Sequence, residues 1–194
     1  QAQTLDWIHG DDTPPVAAVC APTGGGKTDV ITALAGASEQ TLCIYPTNAL
    51  IDAQADAIED AGHSVKEVTG DTLTGSGAER SNQLLKIAQN RHHDVIITNP
   101  DVLQAVIQDS YFSPGSRIME ISAQFDAAVY DEFHYYDPLA ASGLLTQIKI
   151  LSERGEYRAE DGNKALPKFL LTSATPDDTF VDIIEADLSL ELIA

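Results

Sequence analysis

The segment that most constrains this chain is Ala21-Pro22-Thr23-Gly24-Gly25-Gly26-Lys27-Thr28. It joins an apolar run, Val16 to Cys20, to a stretch with helical spacing, Lys27 to Leu34. A strand that enters a glycine-rich turn and leaves it as a helix has one well-understood use. Glycine lacks a Cβ, so the backbone can bend tightly and turn its N–H groups inward. The helix adds the positive end of its dipole. Together they make a cradle for phosphate oxygens, with Lys27 in reach of β- and γ-phosphates and the Thr28 hydroxyl available to Mg²⁺. The plain alternative is an ordinary glycine-rich turn. A complete Gly24-Gly25-Gly26-Lys27-Thr28 run in strand–helix context favours the cradle.

Strand and helix patterns go on alternating. Thr41 to Tyr45 is a second apolar run, followed by helical spacing through Ile51, Ala55 and Ile58. Ser64 to Val68 is a third strand candidate, Gly70 to Gly77 a polar loop, and Ser81 to Asn90 a helix that Ser81 itself would cap. Val95 to Thr98 is the next strand candidate, and Pro100 suits the first turn of a helix. Residues 111–117 read as loop, Ala127 to Tyr130 as strand and Leu139 to Leu151 as helix. Arg154 to Ala165 reads as polar loop, and Phe169 to Thr172 as the last clear strand. Such alternation predicts an α/β fold, a mostly parallel sheet with helices on both faces. No repeat or internal boundary interrupts it, so residues 1–194 are read as a single domain.

With 194 residues, 43% of them hydrophobic, the chain can bury one sizeable core. It opens on Gln1 and not Met, as a processed or excised chain would. No apolar run reaches membrane-spanning length and no leader pattern is present, which points to a cytoplasmic protein with no membrane partner. Cys20 and Cys43 lie in apolar runs and read as reduced core thiols, on strands that neighbour pairing would bring close. Thirty acids against eleven bases give a net charge of −19. That balance argues against a polyanion partner held by Lys and Arg. The acids are scattered along the chain, as on the hydrated surface of a protein from a salt-rich cytosol, where screening lengths are short. The source expected on this ground is a halophilic archaeon.

Ala127 to Tyr130 runs straight into Asp131-Glu132-Phe133-His134. Adjacent acids are usually solvated surface. Here an uninterrupted apolar strand precedes them, about a hundred residues after the cradle. Phosphoryl transfer needs this pair opposite a phosphate loop: Asp131 to hold Mg²⁺, Glu132 to orient and polarise the attacking water.

With both elements in place, the chain resembles a superfamily-two helicase of the DExH type, and the resemblance covers nearly its whole length. Ala21-Pro22-Thr23-Gly24 is similar to the helicase variant of the loop. Tyr45-Pro46-Thr47-Asn48-Ala49-Leu50 and Thr98-Asn99-Pro100-Asp101-Val102-Leu103 resemble the family's two strand-contact motifs. Ser173-Ala174-Thr175 matches the motif linking hydrolysis to movement. The resemblance implies the first RecA-like domain of an ATP- and Mg²⁺-dependent motor, with a second RecA-like domain closing the site through arginines. It implies that Thr23, Gly24, Gly25, Gly26, Lys27 and Thr28 hold the nucleotide, and that Gln1 or Gln3 reads the adenine. His134, Ser173 and Thr175 would couple the nucleotide site to the strand side. A narrower resemblance, carried by Tyr45 to Leu50 and by Asp131-Glu132-Phe133-His134-Tyr135-Tyr136-Asp137, is to the helicase of type I CRISPR interference systems, the type I-D archaeal branch. That group implies translocation on single-stranded DNA and recruitment by an RNA-guided surveillance complex.

An acidic domain can hold a strand without net positive charge if amides, hydroxyls and helix N-termini make the contacts. Pro46, Thr47, Asn48, Thr98 and Asn99 are the candidates, and each polar one is also an ordinary helix cap. The lesser alternative for His134 is a core histidine satisfied by a neighbour. His92-His93-Asp94 imitates a metal-nuclease signature but reads as an exposed turn leading into a strand. Trp7 and Tyr111-Phe112 could stack on bases, though such residues more often belong to a core, and no role is assigned to them. Two other functions fit the residues: an RNA helicase with the same chemistry, and a nucleotide-gated adaptor that does not move.

Overall fold

The computed structural model describes residues 2–10, 16–22, 24–112, 117–135, 143–150, 167–174 and 190–193. Helix α1 (Ala2–His9) precedes β1 (Val16–Cys20) and α2 (Lys27–Gly36). Then come β2 (Thr41–Ile44), α3 (Asn48–Asp60), β3 (Val65–Val68), α4 (Gly77–Gln89), β4 (Val95–Thr98) and α5 (Pro100–Phe112). A short α6 (Ile118–Ser122) leads to β5 (Ala127–Tyr130), a 3₁₀ turn (Phe133–Tyr135), a helix over 143–150 (α7), β6 (Lys168–Ser173) and β7 (Leu190–Ile193).

Among the described residues seven strands form one sheet in the order β3-β4-β2-β5-β6-β1-β7, their pairings parallel. Parallel strands buried on both sides need apolar residues on both faces, and the sequence supplies them. Ala17, Val19, Cys43, Ala127, Val129 and Leu170 face α1, α2 and α3, where Trp7, Ile31, Leu34, Ile51 and Ile58 complete one core. Their neighbours Ala18, Leu42, Ile44, Ala128, Tyr130 and Phe169 face α4 to α7, packed by Leu84, Leu103, Ile121 and Ile148. The predicted α/β sheet with helices on both faces is the one found.

Several local expectations change. Helix α4 starts a turn before Ser81. Its N-cap is Ser76, whose amide and hydroxyl both donate to Glu79 Oε2, at 2.7 and 2.9 Å. Ser81 is buried inside the helix. The backbone bond from Ser76, with help from its hydroxyl, holds the Glu79 carboxyl below the usual range. Tyr111 and Phe112 end α5 and do not open a loop; Pro114 and Gly115 lie outside the described residues, as do Arg154 to Ala165. Helices α1 and α6 and strand β7 were not foreseen. Cys20 and Cys43 are free, and β5 and β6 separate their strands, so pairing does not bring them together. Burial pushes both thiols above their ordinary values.

The imitation nuclease signature serves the sheet edge away from the site. Asp94 accepts from the Ser64 amide at 2.9 Å, and the His92 carbonyl accepts from the Ser64 hydroxyl at 3.1 Å. The end of helix α1 is clasped by Lys168. The Lys168 ammonium donates to the carbonyls of Trp7, Ile8 (2.7 Å) and Gly10 (3.0 Å), and lies 5.2 Å from the Trp7 ring centre. A lysine there satisfies the open carbonyls of a helix end and opposes its negative pole. Trp7 is thus a core residue, 1% exposed. No helix among the described residues is long and apolar enough to cross a membrane.

Candidate nucleotide site

Ligands of open parallel sheets bind at the carboxyl ends of the strands, and the candidate residues gather there. The glycine loop follows β1, Asp131-Glu132 follows β5, and Ser173 ends β6 between them in the sheet. Gly26 caps α2 with φ 83°, a left-handed backbone that side chains disfavour. At Gly25 an added Cβ would lie 2.8 Å from the Pro22 carbonyl oxygen, so nothing larger than hydrogen fits the turn. Gly24 and Gly25 are exposed, leaving the loop's backbone open to a ligand.

Lys27, first residue of α2, turns back across the strand ends. Its ammonium pairs with Glu132 Oε1 and lies 3.9 Å from Asp131 Oδ1. Glu132 Oε2 accepts from the Ala174 amide at 3.2 Å, so the acid that follows β5 is bonded directly to the Ser173-Ala174 segment. Glu132 has φ 50°, a left-handed conformation unusual for a side chain of its size. Its amide donates to Asp131 Oδ1 at 2.9 Å, and its carbonyl accepts from Tyr135 at 2.9 Å. These bonds hold the turn in its strained form and keep the two carboxylates facing Lys27.

Asp131 is 4% exposed. Burial raises its pKa above the ordinary carboxylate value, against the lowering effects of the Thr172 hydroxyl, which donates to Oδ1, and of Lys27. The folded state therefore holds this proton more tightly than the unfolded chain does. Stability falls as pH rises from the ordinary value through the raised one, and at neutral pH the full cost of the buried charge is present. Asp131→Asn keeps the shape and the one oxygen that accepts from Thr172 and from the Glu132 amide, and removes the charge. Without Mg²⁺ at neutral pH it is expected to melt a few degrees above the unsubstituted protein, the gap closing as pH drops toward the ordinary carboxylate value, while ATP hydrolysis is lost. A lower melting temperature for the variant at neutral pH would refute this account.

Thr28 Oγ1 donates to Gln54 Oε1 on α3 at 3.3 Å. Thr28 and Asp131 are hard oxygen donors of the kind Mg²⁺ prefers, and that ion is commonly held by one or two carboxylates with the substrate's phosphates. The residues fit Mg²⁺ and a nucleotide phosphate chain. Sequence reasoning missed Thr172 and Gln54, since each acts across elements far apart in the chain.

The strand-contact candidates lie along the same edge. Thr47 caps α3 by accepting from the Leu50 amide at 3.3 Å, and Asn99 accepts from the Val102 amide at 2.9 Å in α5. Asn99 Nδ2 donates to Asn48 Oδ1 at 2.9 Å, joining the two helix starts. Pro46 is half-buried, Thr47 and Asn48 are exposed. Thr98 differs: it is buried, its hydroxyl donates to the Val68 carbonyl at 2.8 Å and its carbonyl accepts from the Tyr45 amide at 3.0 Å, so it is a sheet residue and not a surface contact. Ser173 is fully buried. Gln3 is exposed on α1. The backbone of His134 lies in the 3₁₀ turn. Gln1, Thr23 and Thr175 lie outside the described residues.

Residues 1–183 match the DEAD/DEAH box helicase family. The chain belongs to that family. No curated protein matches it. Among solved structures it is similar to the DUF1998 helicase MrfA (TM-score 0.65, 19% identity, 99% of this chain and 29% of that one). It is also similar to a hypothetical ATP-dependent RNA helicase from Sulfolobus tokodaii (0.61, 20%, 99% and 50%). A third is the Mycobacterium smegmatis helicase Lhr, solved with ssDNA and AMP-PNP (0.63, 20%, 99% and 25%). At such identities the likeness is one of fold. This helicase domain, the first RecA-like domain of its family, spans a quarter to a half of those structures' lengths.

Proposed function

We propose that the domain is the ATP-binding half of a motor that moves along single-stranded DNA. The observation that carries the reading is the joining of Lys27, Asp131, Glu132 and the Ala174 amide at one sheet edge, next to the start of α3. ATP with Mg²⁺ supplies the phosphoryl group to be transferred. Thr28 and Asp131 would hold the metal, and the loop amides with Lys27 the phosphates. Lys27 would exchange Glu132 for a phosphate oxygen, and Glu132, released from the ion pair, would take the proton of the attacking water. Because Glu132 also holds the Ala174 amide, the same exchange would be felt at Ser173, the route by which Ser173, Thr175 and His134 would relay hydrolysis to the strand. Gln1 or Gln3 would read the adenine. Thr47, Asn48 and Asn99, with Pro46, would meet the strand's phosphates through amides and short polar side chains, which suits a protein of net charge −19; the buried Thr98 would support them from within the sheet.

DNA is preferred over RNA on the likeness of Tyr45 to Leu50 and of Asp131 to Asp137 to the type I CRISPR interference helicase, which also supports recruitment to an RNA-guided complex. The test is steady-state ATP hydrolysis by the full-length protein with single-stranded DNA, with RNA of the same sequence, and with a target opened by such a complex. Stimulation by DNA and by the opened target is expected. Stimulation by RNA alone would favour the RNA helicase, and stimulation by neither strand the nucleotide-gated adaptor. The excess of acids supports a salt-rich, cytoplasmic setting, and full folding without salt, with no gain from molar KCl, would count against it.

A further inference from the structure

Resting on the nucleotide reading above, we propose that Gln54 is a positioning residue that fixes the Thr28 hydroxyl for the metal and thereby ties metal binding to the N-terminus of α3. A threonine hydroxyl has one proton and two lone pairs. By accepting the proton, Gln54 Oε1 leaves the lone pairs of Thr28 Oγ1 for a cation. A partner that orients a metal ligand in this way commonly governs affinity for the ion.

Gln54 is placed for this by its own helix. Ile51, Ala55 and Ile58 form the buried stripe of α3, and Gln54 lies half-buried beside Ile51 and Ala55 at the rim of that stripe, where α3 meets α2. Two turns earlier the same helix begins at Thr47 and Asn48, the exposed residues next to Asn99. A rigid helix two turns long thus separates the Thr28 contact from the proposed strand contact.

The strand that feeds α3 also borders the site. Ile44 pairs with Tyr130, and Tyr130 with Leu171. One residue further on, Tyr45, Asp131 and Thr172 stand side by side at the carboxyl edge. Strand alternation puts all three on the α2–α3 face of the sheet. Tyr45 is fully buried, and its hydroxyl has no hydrogen-bond partner among the described residues. The segment Tyr45–Gln54 therefore borders the metal site through the neighbour of Asp131 at one end and the partner of Thr28 at the other.

The test uses the full-length protein with Mn²⁺ as the spectroscopic substitute for Mg²⁺ and a non-hydrolysable ATP analogue. Mn²⁺ affinity is read by electron paramagnetic resonance, and amide hydrogen exchange is read over residues 48–51. Gln54→Met keeps the length and loses the acceptor; Gln54→Glu keeps the acceptor. In the Met variant, Mn²⁺ affinity is expected to fall about 10- to 100-fold, and the protection that metal and nucleotide confer on residues 48–51 to vanish. The Glu variant is expected to keep most of both. Unchanged Mn²⁺ affinity in a folded Met variant, or undiminished protection at 48–51, would overturn the proposal. An unsubstituted protein that bound no Mn²⁺–nucleotide at all would overturn the nucleotide reading beneath it, before any variant was made.

Discussion

Residues 1–194 alone are expected to hydrolyse ATP about 10³ to 10⁵ times more slowly than the same domain supplied with a second RecA-like domain, the range an arginine finger is worth in related phosphoryl-transfer enzymes. The described site holds one ammonium, Lys27, facing the carboxylates Asp131 and Glu132. That arrangement can bind phosphate and activate water, but it has a single positive charge with which to meet the charge that builds on the transferred group. An open face also admits bulk water, which weakens each remaining electrostatic contact. The measurement is steady-state hydrolysis by the domain alone, then with the partner domain added in trans. Equal turnover in the two would mean that one domain carries a complete site, and the two-domain reading would fail.

Glu132→Gln is expected to slow hydrolysis about 10² to 10⁴-fold, the usual cost of losing a general base, while nucleotide binding holds or tightens. The amide oxygen can still accept from Ala174, so the turn after β5 keeps its bond to β6. Lys27, however, loses its ion-pair partner and becomes freer to meet phosphate. Slow chemistry with undiminished affinity separates this residue from Lys27, whose replacement by Ala should remove binding and turnover together. Hydrolysis by the Gln variant at the unsubstituted rate would assign water activation to another group.

Both effects rest on residues whose place was legible in the sequence, and the reason is physical. A loop that must curl around phosphate tolerates little but glycine, as the close approach at Gly25 demonstrates, and an acid pair at the end of a buried strand has few other uses. The sheet was legible for a related reason: strands buried on both faces are filled by apolar runs such as Leu42–Ile44 and Val95–Ile97, with polar residues such as Thr41 and Thr98 only at their ends. What stayed hidden is what depends on partners distant in sequence. β7 carries Glu191 amid its apolar residues and shows no run. α1 offers only Leu5, Trp7 and Ile8, too few for a period. Ser81 looked like a cap because Ser and a helical spacing coincide, whereas the reciprocal pair Ser76 and Glu79 sets the true start. Thr98 looked accessible until β3 supplied Val68 as its acceptor. Thr172 and Gln54 have no pattern of their own; only the crossing of β6 with β5, and of α3 with α2, gives them meaning.

The clamp that Lys168 places on α1 has a consequence for the order of assembly. It joins residues 161 apart in sequence, and β1 likewise finds its partner strand at Phe169 to Ser173. Closing loops of that length is entropically costly and slow. The Lys168 clasp on α1 can close only after β6 has entered the sheet, so the final seating of Trp7 beside that ammonium should be among the late events of folding. Trp7 is the chain's one tryptophan, which makes that late event the one its fluorescence records.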